Sequence, residues 1–197
     1  DPNEPGQFSG DDGRITFAVP EGATLVLETR DYMIDTLTGL SISGITFKTP
    51  PDGAIISPLT TLIAESRVPS AEVTQILGLP DVNLLWFNPA SAAVDPAEAL
   101  AVELASREVL TVLQGLSGAM QGAGLATSTA FAAASRGAGD AIIAESFGTP
   151  PNAFDLTSAA TIRAIAENAF TRGGLAGADI TRLNATIEPL VAAIAEI

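Results

Sequence analysis

The spacing of apolar and polar positions changes period once along this chain. Between Arg14 and Lys48 the period is close to two. Ile15, Phe17 and Val19 alternate with polar neighbours, then Leu25 and Leu27, then Ile42, Ile45 and Phe47. Glycine and proline punctuate these runs, which predict three or four short strands. A sheet that small cannot close a core of its own, so it must pack on the rest of the chain. After Pro50-Pro51-Asp52-Gly53 the period becomes helical.

Ser57 before Pro58 reads as an N-cap with proline at the first helical position, opening SPLTTLIAES. Ser70 after Pro69 repeats the signal and opens SAEVTQILG, which Gly78 stops before Leu79-Pro80. Residues 81–94 show no clear period and predict a surface loop whose Leu84, Leu85, Trp86 and Phe87 dock on the core. Asp95-Pro96-Ala97-Glu98 is the clearest helix start. Beyond it Val102, Ala105, Val109, Val112, Leu116 and Met120 form one stripe, and Glu103 and Arg107, four apart, predict an ion pair on the outer face. Gly115, Gly118, Gly122 and Gly124 predict that this helix loosens. A helix over about 128–147 comes next, broken by Pro150-Pro151, and Asp155 is expected to cap another through Phe170, ended by Gly173-Gly174. The last runs from about Asp179, with Ile180, Leu183, Ile187, Val191 and Ile194 on one face and a kink at Pro189. The fold class is therefore mainly α: an alanine-rich helical bundle over 54–197, preceded by a small β-rich lobe with an acidic loop over 1–53, the two packed as one unit. No internal repeat recurs at a fixed period.

Composition narrows the chemistry. The 197 residues suit one domain. Histidine and cysteine are absent and Lys48 is the only lysine. Thiolate nucleophiles, Ser-His-Asp triads, disulfides and ordinary zinc, haem or iron–sulfur sites are thereby excluded. A formal charge of −14 repels phosphate backbones and argues against nucleic acid as a partner. With 47% apolar residues the chain is nevertheless a globular one, and with only 5% aromatics its core must come from closely approaching helices. No run reaches the ~18 apolar residues of a membrane span. The chain opens on Asp1 and stops at Ile197 inside an apolar pattern, which predicts a piece of a longer polypeptide.

The negative charge is uneven. Residues 1–35 hold eight acids against Arg14 and Arg30, a net −6. Asp1, Asn3, Gln7, Ser9 and Asp12 fall on the oxygen-donating places of an EF-hand-like calcium loop, with Gly6 at the turn and apolar Phe8 after it. Pro5 supplies no side-chain oxygen, and Asp12 stands where a longer Glu is usual. The same residues suit an acidic terminus with no ion better still. Asp31 and Asp35, with Thr36, Thr38 and Gly39, offer a second, weaker calcium set or an Asx-turn between strands. Gly118 and Gly122 form GxxxG, a spacing for close helix approach or self-association. Ser57, Thr60 and Thr61 have no base to activate them and read as capping and packing residues. Among the acids, Asp81 comes nearest to an aromatic setting, beside Trp86 and Phe87.

The stretches VPEGATLVLE (19–28), DTLTG (35–39), TPPDGAIISPLTTLIA (49–64) and AEVTQILGLP (71–80) resemble a recurring module of large bacterial exported, adhesin-like surface proteins, found beside calcium-binding repeats or cadherin-like domains. Its marks are the helix start Pro58-Leu59-Thr60-Thr61-Leu62 and the stop Gly78-Leu79-Pro80. The likeness covers about residues 1–115. It implies an extracellular or cell-surface location, calcium-rich surroundings and flanking domains of a parent chain as partners, and it transfers no catalytic residue. The expected function is a non-catalytic structural or adhesive module, calcium-stabilised. The alternatives are a glycan-binding or glycan-hydrolysing domain that uses carboxylates and an exposed Trp86, and a self-assembling subunit.

Overall fold

A computed structural model describes residues 20–30, 33–34, 42–147, 154–175, 177, 181, 184–185 and 187–194. The described chain is mainly helical. Strands β1 (Leu25–Glu28) and β2 (Thr46–Thr49) pair antiparallel with Leu27 opposite Phe47. Six helices come after them: α1 (Pro58–Ser66), α2 (Ser70–Ile76), α3 (Pro96–Gly122), α4 (Thr127–Ser146), α5 (Ala159–Arg172) and α6 (Ile187–Ile194). The predicted strand at Ile15, Phe17 and Val19 lies outside the described residues.

The caps explain where the helices begin, and two differ from expectation. Ser57 accepts from the Thr60 N–H while Thr60 Oγ1 accepts from the Ser57 N–H, a reciprocal capping box. Asp95 accepts from the N–H groups of Ala97 and Glu98. Ser70, by contrast, is the first residue of α2 and Pro69 its cap, so the Ser70 hydroxyl makes no capping bond and is buried without a partner. Asp155 does not cap α5. It accepts from the Thr157 N–H and hydroxyl in a tight turn, and the helix starts four residues later behind Ser158.

Helix α4 is the hub, packed on α1, α3 and α5. Its sequence explains why. Ala130, Ala133, Ala134, Gly137, Ala138 and Ala141 are buried, and they hold the neighbours at backbone distance. A Cβ on Gly137 would stand 2.4 Å from the Ala169 nitrogen of α5, and one on Gly139 would stand 2.9 Å from the Ser66 nitrogen of α1. Helix α3 does not loosen at its glycines and runs unbroken to Gly122. Gly115 is a contact, since a Cβ there would lie 2.5 Å from Leu190 of α6. Pro189 stands in the first turn of α6 as described.

The hairpin joins the bundle through β2. Phe47 meets Phe131 of α4 edge to face at 5.8 Å. The backbone of Lys48 is bonded by the two threonines of α1: its N–H donates to Thr61 Oγ1 (2.9 Å), and its carbonyl accepts from Thr60 Oγ1 (2.9 Å). The exposed backbone of a sheet edge is a liability when unpaired, and here helix side chains satisfy it. Lys48 Nζ then bonds Glu65 Oε1 of α1 at 2.6 Å, and Arg136 Nε of α4 lies 3.4 Å from Glu65 Oε2. Thr60 and Thr61 are thus the seam between hairpin and bundle, in agreement with their reading as capping and packing residues.

Candidate functional site

Beside that seam lies an apolar cleft of about 350 Å3. Phe47 of β2 and Leu59 of α1 form part of its wall, with Ile34, Ile42 and Ile55 around them. The 84–89 loop contributes Leu84, Phe87 and Pro89. This loop is held by the segment after β2, where the N–H groups of Ala54 and Ile55 both donate to the Leu85 carbonyl, at 2.8 and 3.0 Å. Its turn, with the Trp86 and Phe87 N–H groups on the Asn83 carbonyl, sends Leu84 into the core and Trp86 outward. Docking of the whole Leu84–Phe87 run was expected; Trp86 instead is 63% exposed.

The fourth wall is α3, with Val102, Glu103, Ser106, Arg107 and Leu110. These positions recur at three and four, the spacing of one helix face. Glu103 and Arg107 are therefore half-buried on the cleft and not on an outer face. They also form no ion pair: among the described residues the pairs are Lys48–Glu65, Arg136–Glu65 and Arg172–Asp140. Arg107 Nε is buried with no hydrogen-bond partner. A guanidinium is always protonated and donates only, so this N–H is an unmet charged donor on a residue that lines an apolar space. Sequence reasoning missed it because i, i+4 spacing suggested a solvated pair. The available signal was Leu110, three residues on from Arg107, which widens the apolar arc of α3 beyond its main stripe.

A second depression, of about 380 Å3, is lined by Ser43, Ile45, Gln114, Ser117, Gln121, Thr127 and Phe131. Its polar groups satisfy one another: Gln121 Nε2 donates to Ser117 Oγ at 3.2 Å, and Thr127 Oγ1 donates to Gln121 Oε1 at 3.0 Å. It offers a ligand less than the cleft does.

The calcium candidates Asp1, Asn3, Gln7, Ser9 and Asp12, and Asp31 with Asp35, lie outside the described residues. Among the described residues no group of three or more Asp or Glu side chains is placed to hold a metal. Carboxylate chemistry of the glycosidase kind needs two acids flanking one bond, about 5–9.5 Å apart. Among the described residues the cleft is lined by one, Glu103, and by Phe87 where that reading calls on Trp86. Elsewhere Glu108 of α3 is held above the usual carboxylate range, by burial first and by the Asp155 charge second. Asp155 is held below its usual range by the bonds from Thr157. Gly118 and Gly122 are exposed, with open space where a Cβ would stand, so GxxxG brings no helices together within the described fold. No helix among the described residues is long and apolar enough to cross a membrane. Compared with known protein families, with curated proteins and with solved structures, the chain matches none.

Proposed function

We propose that the chain is a non-catalytic, ligand-receiving module of an exported bacterial surface protein, structural or adhesive in its work and stabilised by calcium through its acidic opening. The cleft is the observation that carries the binding part of this reading. Among the described residues its lining is apolar, with one carboxylate, one guanidinium and the hydroxyls of Ser57 and Ser106. That is the make-up of a receptor pocket, mostly apolar with a few polar groups that orient a guest. The exported setting comes from the likeness of residues 1–115 to adhesin-like modules, and the calcium from the spacing of Asp1, Asn3, Gln7, Ser9 and Asp12.

Two measurements test it. Calorimetric melting in millimolar calcium and in chelator should give a higher Tm with calcium. A site saturated at a hundred times its Kd adds about 2.7 kcal/mol, and equal Tm values would remove the calcium part. Incubation with soluble glycans and chromogenic esters should release no product, and turnover above blank would overturn the non-catalytic part. A surface-glycan reading is favoured by one observation, the 63% exposure of Trp86. Polysaccharide pull-down that is lost in Trp86→Ala would establish it.

A further inference from the structure

Among the described residues the cleft has an apolar body and a single guanidinium, and these two facts bear on the chemistry of its guest. The Arg107 guanidinium lines the cleft and makes no ion pair among the described residues, although Glu103 stands one helical turn away on the same wall, and its Nε is buried without a partner. An ionised donor left without an acceptor is an expensive arrangement, and one that a charged acceptor relieves most fully. The volume sets the size. At about 350 Å3 the space lies at the small end of the roughly 300–1,000 Å3 range of ligand pockets, which suits a guest of modest length. We propose that the cleft between β2, the 84–89 loop and α3 binds a single-chain carboxylate of medium length. Its hydrocarbon lies against Phe47, Leu59, Leu84 and Phe87, and its carboxylate pairs with the guanidinium of Arg107 on the α3 wall. This rests on reading the chain as a receptor module.

Charge makes the assignment sharp. The whole chain carries −14, a field that favours cations over anions. Glu103 on the same wall adds to that field and confines the guest to one negative charge. A preference for the anion must therefore come from Arg107 and from nothing more general.

The test is titration calorimetry of the full chain with decanoate, 1-decanol and decyltrimethylammonium, each below its aggregation threshold. Decanoate should bind one to one, saturating below about 1 mM, at least ~10-fold tighter than decanol, since a hydrogen bond to an ionised group is worth that factor or more. Arg107→Gln should erase the difference and leave decanol unchanged. Glu103→Gln should tighten decanoate several-fold with no effect on decanol, and it carries the test should Arg107→Gln fail to fold. Equal affinity for decanoate and decanol would overturn the head-group assignment while leaving the receptor reading intact. Tighter binding of the cation would overturn it as well. No binding of any probe would overturn the site itself, and the melting and turnover measurements would still judge the module reading separately.

Discussion

Where α4 meets α5 and α1, backbones approach until a single added carbon has nowhere to go. Where β2 and the 84–89 loop meet α3, larger side chains leave about 350 Å3 open. Both regions belong to one apolar cluster, to which the cleft wall contributes Phe47, Leu59, Leu84 and Val102. The difference lies in the backbones. Helices with alanine and glycine faces pack closely against each other and exclude space. A two-stranded hairpin and an irregular loop present Phe47, Leu84 and Phe87 from backbones of different kind, and these line the cleft opposite α3. Small residues close one seam, and large ones hold the other ajar.

The largest expected effect separates the two sides of this comparison directly. Phe131 is 1% exposed and touches Phe47 from within the α4 hub, so Phe131→Ala should cost about 3–5 kcal/mol in urea unfolding. Phe87, half-buried in the cleft wall, should cost about 1 kcal/mol when cut to alanine, because one side already faces open space. Equal losses would mean that the cleft is packed as tightly as the hub. Gly137→Ala comes next at about 3 kcal/mol, since its Cβ meets backbone that cannot rotate away. Gly118→Ala should stabilise by about 0.5–1 kcal/mol through helix propensity, with nothing within 4 Å to resist it.

The contrast among these glycines also shows how far the fold could be read from the sequence. GxxxG singled out Gly118 and Gly122, where an added Cβ would meet nothing, whereas Gly115, Gly137 and Gly139 make the close approaches and carry no local motif distinguishing them. Spacing along one helix reports which residues share a face. It does not report which face another helix will choose. Proline-marked starts were legible at Ser57 and Asp95 because a cap bonds within its own first turn. Asp155 misled because the same side chain, bonded to Thr157, makes an Asx-turn just as well. The candidate site was the least legible. Phe47, Leu84, Phe87 and Arg107 come from three separate stretches, and the fate of a charge at i, i+4 depends on which way the partner element lies.

The hinge between hub and cleft side is the Glu65 carboxylate, whose side chain is only 11% exposed. Glu65→Gln keeps the shape and removes the charge that holds Lys48 of β2 and Arg136 of α4 together. A loss of about 1–2 kcal/mol is expected, discounted because Arg136 is half-exposed. The sharper readout is local. Hydrogen exchange at the Thr46–Thr49 amides should accelerate more than at α4, because β2 is anchored through Lys48 while α4 keeps its glycine seams. Uniform acceleration would show that hairpin and bundle open as one unit.

The smallest expected effect lies on the face of α3 turned to Asp155. Glu108 has a raised pKa, through burial and the Asp155 charge, so the folded chain binds its proton more tightly than the unfolded chain does. Linkage sets the sign: stability attributable to this group falls as pH rises from the ordinary glutamate value through the raised one. At neutral pH the ionised Glu108 is a standing cost, and Glu108→Gln should raise Tm slightly at pH 7. Below the ordinary value both forms are neutral and the two melting curves should coincide. Asp155 has the opposite sign. Its pKa is lowered by Thr157, so its contribution is complete above the ordinary aspartate value and is lost as pH falls through the depressed one. Asp155→Asn should therefore weaken the turn before α5 at neutral pH and also lower the Glu108 pKa, so that part of its cost is returned. A double variant whose change equals the sum of the two single changes would show that the carboxylates do not interact. A smaller gain from Glu108→Gln in the Asp155→Asn background is the expected result, because part of the reason for the strain at Glu108 has already been removed.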